Sequence, residues 1–199
     1  MTHLVLIRHG QSVWNAANRF TGWTDVELSP KGEDEAAAAG KELADLSFDV
    51  VHTSALLRAQ RTAEIVMLHN RASGDIPTRY DERLNERHYG DLQGLNKAET
   101  AEIHGVEQVH IWRRSFDVPP PGGESLEMTA ERTIPYFVEE IIPDLEGGKN
   151  VLVAAHGNSL RSIVMYIEKI SPDDITSLEI PTGVPMHYTF DSGEIRRFD

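Results

Sequence analysis

Two short apolar runs, each cut off by a histidine and a glycine, constrain the fold of this chain more than any other feature. His3 to Ile7 is compact and rich in branched side chains and stops at Arg8-His9-Gly10, while Asn150 to Ala155 stops at His156-Gly157. Runs that stay apolar at consecutive positions, without alternating, fit strands buried on both faces, the usual setting of a parallel sheet. Parallel strands need long crossovers, and the sequence supplies helices for them. Ser29-Pro30 offers an N-cap and a proline at the first helical position, and Ala36, Ala39, Leu43 and Leu46 follow at helical spacing. Phe48 to Thr53 reads as the next strand, and Leu56, Ala59, Ala63, Val66 and Met67 predict a helix over Ala55 to His69. After His156, the residues Leu160, Ile163, Val164 and Ile167 share one helical face, and Met186 to Phe190 with Glu194 to Phe198 predict a closing hairpin around Asp191-Ser192-Gly193. This order predicts an α/β fold, a three-layer αβα sandwich around a mostly parallel sheet, with residues 1–199 as one domain.

The remainder is less regular. From Asp81 to Gly123 polar residues dominate and Pro119, Pro120 and Pro121 cluster, which predicts loops and short helices. Leu126, Ala130, Ile134, Phe137, Val138 and Ile141 restore a helical stripe, within which Pro135 should kink or interrupt the helix. The balance of 32 acidic against 19 basic side chains, a net charge of −13, repels nucleic acid and anionic lipid over most of the surface. An anionic substrate would therefore need positive charge gathered in one place. The absence of cysteine excludes disulfides, thiolate metal sites and thiol nucleophiles. No stretch approaches the roughly 20 apolar residues that span a bilayer. The expectation is a soluble cytoplasmic protein without nucleic-acid or membrane partners.

In an open α/β sheet, ligands bind beyond the carboxyl ends of the strands where strand order reverses, so His9 and His156 are placed to converge there. Either one alone reads as an ordinary hydrogen-bonded loop histidine; the pair reads as a site. A neighbouring glycine would let backbone approach a bound anion. The sequence holds no closely spaced cluster of metal ligands, and Arg8 beside His9 would repel a cation, so no metal is expected. The same arginine disfavours imidazolium, keeping His9 neutral and nucleophilic, and attracts phosphate.

Longer blocks carry a specific resemblance. Leu6-Ile7-Arg8-His9-Gly10-Gln11-Ser12-Val13-Trp14-Asn15 is followed by Asn18-Arg19-Phe20-Thr21-Gly22-Trp23, then by Thr53-Ser54-Ala55-Leu56-Leu57-Arg58-Ala59 and Arg83-Leu84-Asn85-Glu86-Arg87-His88-Tyr89-Gly90. Trp112-Arg113-Arg114-Ser115-Phe116-Asp117 and Ala155-His156-Gly157-Asn158-Ser159-Leu160-Arg161 complete the series. In this order, and nearly end to end, the chain resembles the cofactor-dependent phosphoglycerate mutases of the histidine phosphatase superfamily.

The resemblance implies that His9 accepts the phosphoryl group, that Glu86 donates and accepts the proton, and that His156 stabilises charge on the transferring group. It assigns Arg8, Arg58 and Asn15 to the same group, and Thr21, Gly22, Arg87, Tyr89, Lys97, Arg113, Arg114, Gly157 and Asn158 to the remaining anionic groups of the substrate. These roles make physical sense, because phosphoryl transfer rests on positioning and on cationic or hydrogen-bonding groups around the equatorial oxygens. Glu86 is expected to have a pKa raised toward neutrality; without its motif it would read as a solvated carboxylate paired with Arg83 or Arg87. The implied reaction interconverts 3-phosphoglycerate and 2-phosphoglycerate, in glycolysis and gluconeogenesis, with 2,3-bisphosphoglycerate as primer and no metal. A phosphatase on the same scaffold, or a non-catalytic module that binds phosphorylated partners, are the competing readings. Longer relatives insert a segment after the prolines, often linked to subunit contacts, where this chain runs straight into Glu124; a homo-oligomer is admitted but not required. Relatives also carry a longer tail over the site, whereas this sequence ends at Asp199, and the expectation is some hydrolysis beside isomerisation.

Overall fold

The N-terminal run forms β1 (Thr2–Arg8), whose side chains part to opposite faces of a sheet. Leu4 and Leu6 enter one apolar cluster, and Val5 and Ile7 enter another. All four are at most 1% exposed, and burying each aliphatic side chain of this size stabilises the fold by about 1.5–3 kcal/mol. The structure is a computed structural model describing residues 1–70 and 75–198. Asp199, where the sequence reading placed the end of the chain, lies outside the described residues.

The other strands are β2 (Val50–Thr53), β3 (Thr78–Tyr80), β4 (Val151–Ala155), β5 (Pro185–Asp191) and β6 (Glu194–Arg197). They form one six-stranded sheet in the order β3-β2-β4-β1-β5-β6. The pairs β3-β2, β2-β4 and β4-β1 are parallel; β5 and β6 form the hairpin, and β5 joins it to β1 antiparallel. The sheet is thus mostly parallel with an antiparallel edge.

Helices cover both faces. On one face α2 (Pro30–Glu42) and α3 (Leu57–His69) place Ala39, Ala63 and Val66 against Val5, Ile7 and Leu152. On the other, α6 (Leu126–Tyr136), α7 (Ile142–Glu146) and α8 (Gly157–Glu168) place Tyr136, Leu145, Leu160, Ile163 and Val164 against Leu4, Leu6 and Val153. Ser29 caps α2 by accepting from the Gly32 N–H, with Pro30 in the first turn. The helix read from Ala55 begins two residues later, at Leu57, because Ser54 lies outside it and the capping position falls to Leu56, whose side chain makes no cap bond.

Pro135 sits inside α6, and the interruption falls just after it, as a π-helical turn over Phe137–Ile141 that leads into α7 and Pro143. Neither proline can donate to the helical ladder, and the ring of Pro143 would crowd the carbonyl four residues before it. A wider turn between them relieves both constraints. The polar excursion carries α4 (Lys97–His104), α5 (Val106–Arg114) and two 3-10 turns at Glu82–Leu84 and Gly90–Leu92. It packs back through Leu92 and Val109 onto Phe20, in the segment after the short helix α1 (Val13–Ala16).

Candidate active site

β1 and β4 are neighbours, yet α2, the first long helix after β1, lies on one face and α8, after β4, on the other. A crevice opens where the two connections part. The ladder continues one residue past the end of β1, since the His9 N–H donates to the carbonyl of Ala155, the last residue of β4, at 3.0 Å. The His9 and His156 rings consequently lie 5.0 Å apart, and both are buried.

His9 Nδ1 lies 2.7 Å from the Gly10 carbonyl, which can only accept, so this nitrogen carries the proton. Nε2 keeps its lone pair and receives a long bond, 3.3 Å, from Arg58 Nε. Burial first, then the charges of Arg58 and Arg8, hold the His9 pKa well below the ordinary histidine value, against the opposing pull of the Gly10 carbonyl. The ring is neutral, as Arg8 led us to expect, although burial contributes more than the arginines. His156 is held neutral by burial and by Arg58 in the same way, and its Nε2 lies 2.7 Å from Ser54 Oγ. Arg58 donates to the Gly22 carbonyl at 2.7 Å and the Thr24 carbonyl at 3.1 Å. Burial lowers its pKa to about 10, which leaves it cationic at neutral pH.

Glu86 enters from the polar excursion. Its Oε1 accepts from the Arg87 and Asn158 N–H groups at 2.9 and 3.0 Å. Oε2 lies 3.7 Å from where a Cβ on Gly157 would stand. The expected rise in its pKa is not found. Burial pushes it up, but Arg8, the Arg87 N–H, Arg58 and the Asn158 N–H together hold it below the ordinary carboxylate value. The salt-bridge alternative is not found among the described residues either: Arg83 pairs with Asp81 and Glu139, and the Arg87 guanidinium donates to Tyr89 and the Arg113 carbonyl.

A cavity of about 220 Å³ opens above these groups. Arg8, His9, Asn15, Thr21, Gly22, Arg58, Glu86, Tyr89, Lys97, Arg113, Arg114, Gly157 and Asn158 all line it. Asn15 Oδ1 accepts from the Ser12 N–H at 3.0 Å, which leaves the amide NH2 free to donate. Lys97 has its pKa lowered by burial and then by Arg113 and Arg8, against Tyr89. Two expected residues stand behind the wall instead of in it. His156 is wholly enclosed beneath His9. Arg87 is turned away, donating to the Arg113 carbonyl at 2.8 Å and the Tyr89 hydroxyl at 3.2 Å, and it borders an adjacent cleft.

The two glycines beside the histidines differ. Gly157 does line the cavity, between Arg8 and Glu86. Gly10 serves packing, because a Cβ there would stand 2.1 Å from the Gly32 carbonyl oxygen at the start of α2. Among the described residues, four buried side-chain polar atoms lack a partner: Arg8 Nε, Thr21 Oγ1, Arg87 Nε and His156 Nδ1. Arg8 and Thr21 line the cavity, and Arg87 and His156 stand directly behind its wall. Buried polar groups are nearly always paired, so their concentration here marks a place built for a polar ligand. No group of three or more His, Asp or Glu side chains among the described residues is arranged to hold a metal ion.

Residues 4–197 match the family model of the histidine phosphatase superfamily, branch 1. The chain belongs to this superfamily. Two relatives, both named 2,3-bisphosphoglycerate-dependent phosphoglycerate mutase, are closely similar. That of Parvibaculum lavamentivorans is 55% identical over 198 residues, covering 98% of this chain and 94% of its own. That of Cytophaga hutchinsonii is 54% identical over 192 residues, covering 96% and 89%. Among solved structures, a mycobacterial glucosyl-3-phosphoglycerate phosphatase in complex with VO3 superposes with a TM-score of 0.86 at 29% identity, covering 100% of this chain and 98% of that one.

Within this histidine phosphatase site, Arg19, Phe20, Arg161 and Glu179 also line the cavity and were not singled out from the sequence. Arg19 and Arg161 lie inside the quoted blocks, and an arginine amid the buried stripe of Leu160, Ile163 and Val164 is a signal in its own right. Arg132 was missed too. Its guanidinium grips Glu124 at 2.8 and 2.9 Å and donates to the Asn85 and Glu86 carbonyls at 3.0 and 2.9 Å, which fixes the backbone carrying Glu86.

Proposed function

We propose that this chain is a 2,3-bisphosphoglycerate-dependent phosphoglycerate mutase, interconverting 3-phosphoglycerate and 2-phosphoglycerate through a phosphohistidine at His9. The observation that carries the reading is the neutral His9 ring, proton on Nδ1 and lone pair on Nε2, at the floor of a cavity lined by seven basic side chains: Arg8, Arg19, Arg58, Lys97, Arg113, Arg114 and Arg161. That excess of positive charge, with the unpartnered Arg8 Nε and Thr21 Oγ1, fits a small ligand bearing two phosphates and a carboxylate. Relatives of that name, at 54–55% identity, support the same substrate class.

Bound bisphosphoglycerate supplies the phosphoryl group. His9 Nε2 attacks phosphorus as the bond to the sugar-acid oxygen breaks, and Glu86 protonates that oxygen. Gly10 holds the Nδ1 proton throughout, so the phosphorylated ring carries its charge beside a carbonyl. Arg8 and Arg58 face the equatorial oxygens, Asn15 donates its amide, and His156 supports the His9 ring from below. In the reverse transfer Glu86 takes the proton from the attacking hydroxyl, for which its ionised form is required; the protonated form it becomes is the one the next transfer needs. Thr21, Gly22, Tyr89, Lys97, Arg113, Arg114, Gly157 and Asn158 hold the other anionic groups, with Arg87 bracing Arg113 and Tyr89. We further read residues 1–199 as one domain acting in the cytoplasm without metal, nucleic-acid or membrane partners, and we read a homo-oligomer as admissible. Among the described residues no helix is long and apolar enough to cross a membrane.

The fold likeness to a phosphatase favours a second reading, in which water replaces the attacking hydroxyl. Phosphorus NMR separates the two. With 3-phosphoglycerate, a chelator and a trace of bisphosphoglycerate, the mutase forms 2-phosphoglycerate, faster than without the primer. Inorganic phosphate as the main product would favour the phosphatase, and recovery only on adding a divalent cation would contradict the metal-free mechanism.

A further inference from the structure

Among the described residues two carboxylates line the cavity, and the mechanism uses Glu86. The other, Glu179, lies in the segment between α9 (Pro172–Ile175) and β5. Its Oε1 accepts from Arg114 at 2.6 Å, and its Oε2 stands 4.0 Å from Arg161. The two arginines come from different elements, the end of α5 and the first turns of α8. Glu179 therefore bridges a gap that an anionic ligand would also bridge.

Its place is held by the site itself. Arg161 Nε donates to the Leu178 carbonyl at 2.8 Å, and Arg8 donates to the Ile180 carbonyl at 2.8 Å. The backbone on both sides of Glu179 is thus pinned by cavity arginines, and Ile180 is buried in the core. The side chain, in contrast, is 69% exposed, which leaves it room to swing into solvent once it parts from Arg114. A carboxylate in this position does two things: it neutralises part of the clamp when the cavity is empty, and it repels incoming anions in proportion to their charge.

We propose that Glu179 is a placeholder carboxylate that occupies the Arg114–Arg161 clamp in the empty site and, once displaced, sets how strongly the site favours the more highly charged ligand. The inference rests on the mutase reading above. Bisphosphoglycerate carries one phosphate more than either monophosphate and so meets greater repulsion from the same carboxylate. Glu179 in this way restrains a cavity of seven basic groups from holding its bisphosphorylated ligand too tightly, and it returns to Arg114 as an anion departs.

The test is a charge ladder at one position: wild type, Glu179→Gln and Glu179→Lys. Half-saturating bisphosphoglycerate, KM for 3-phosphoglycerate and kcat are measured at low and high salt, and binding of each ligand is followed separately by its protection against thermal unfolding. Half-saturating bisphosphoglycerate should fall roughly three- to tenfold from Glu to Gln and fall again with Lys, as expected for an exposed charge close to an ion-binding site. KM for 3-phosphoglycerate should fall by a smaller factor, and the difference should shrink as salt screens it. Constants that stay level, rise, or fall equally for both ligands would overturn the proposal. A wild-type protein that binds both ligands but forms no 2-phosphoglycerate would instead defeat the mutase reading, leaving the binding ladder to judge Glu179 alone.

Discussion

At the scale of single residues, the proposed chemistry depends on how the two nitrogens of His9 are divided: one is tied to Gly10, and the other faces the cavity. Because burial and the two arginines lower its pKa, acidification through the usual histidine range near ~6.5 should leave the ring neutral. Imidazole nitrogen shifts of the unliganded protein should therefore keep the Nδ1–H tautomer as pH falls from 7 to below 6, whereas a midpoint at or above the model-peptide value would refute this account of the nucleophile. Glu86 follows the opposite logic. Its lowered pKa keeps it ionised in the empty site, and in the proposed mechanism anion binding, by neutralising Arg8 and Arg58, raises it before it acts as an acid. Glu86→Gln should slow transfer by ~10²-fold or more while KM changes little, the usual contribution of a positioned proton donor. Wild-type rates across the pH range would reduce Glu86 to a structural role. The sequence pointed to Glu86 only through its motif. The hydrogen bonds that set its ionisation come from Arg87 and Asn158 backbone, and backbone N–H groups leave no trace in residue identity.

At the scale of elements, the strands easiest to read were those covered on both faces. β1 and β4 are apolar at consecutive positions because each sends alternate side chains into two helical layers. The edge strand β3 has three residues, Thr78, Arg79 and Tyr80, none of them buried, so no pattern was there to find. The half of the site contributed by the polar excursion is held by the non-local contact of Phe20 with Leu92 and Val109 and by the Arg132 grip, neither of which has a periodic signature. Gly10 shows how strongly one element can depend on another. Its substitution by alanine would press a Cβ against the Gly32 backbone, which cannot retract without moving α2. Gly10→Ala should destabilise the protein by about 1–3 kcal/mol and lower activity, since the displaced carbonyl is the one that orients His9. Unaltered denaturant midpoint and unaltered activity together would show that the loop and α2 separate freely.

At the scale of the molecule, the chain carries a net charge of −13, yet seven lysines and arginines among the described residues line one cavity. The field is thereby focused on the carboxyl ends of β1 and β4, where the reversal of connections had already made room for a ligand. In the proposed reaction the phosphoryl group rests on His9 and returns to a hydroxyl. A pulse and chase tests it most directly. Protein exposed to bisphosphoglycerate with isotopically labelled phosphate should take up an acid-labile, base-stable label that His9→Ala abolishes, and unlabelled 3-phosphoglycerate should then carry most of that label away as phosphoglycerates. Label that persists in His9→Ala, or that leaves wild-type protein mainly as inorganic phosphate during the chase, would contradict it.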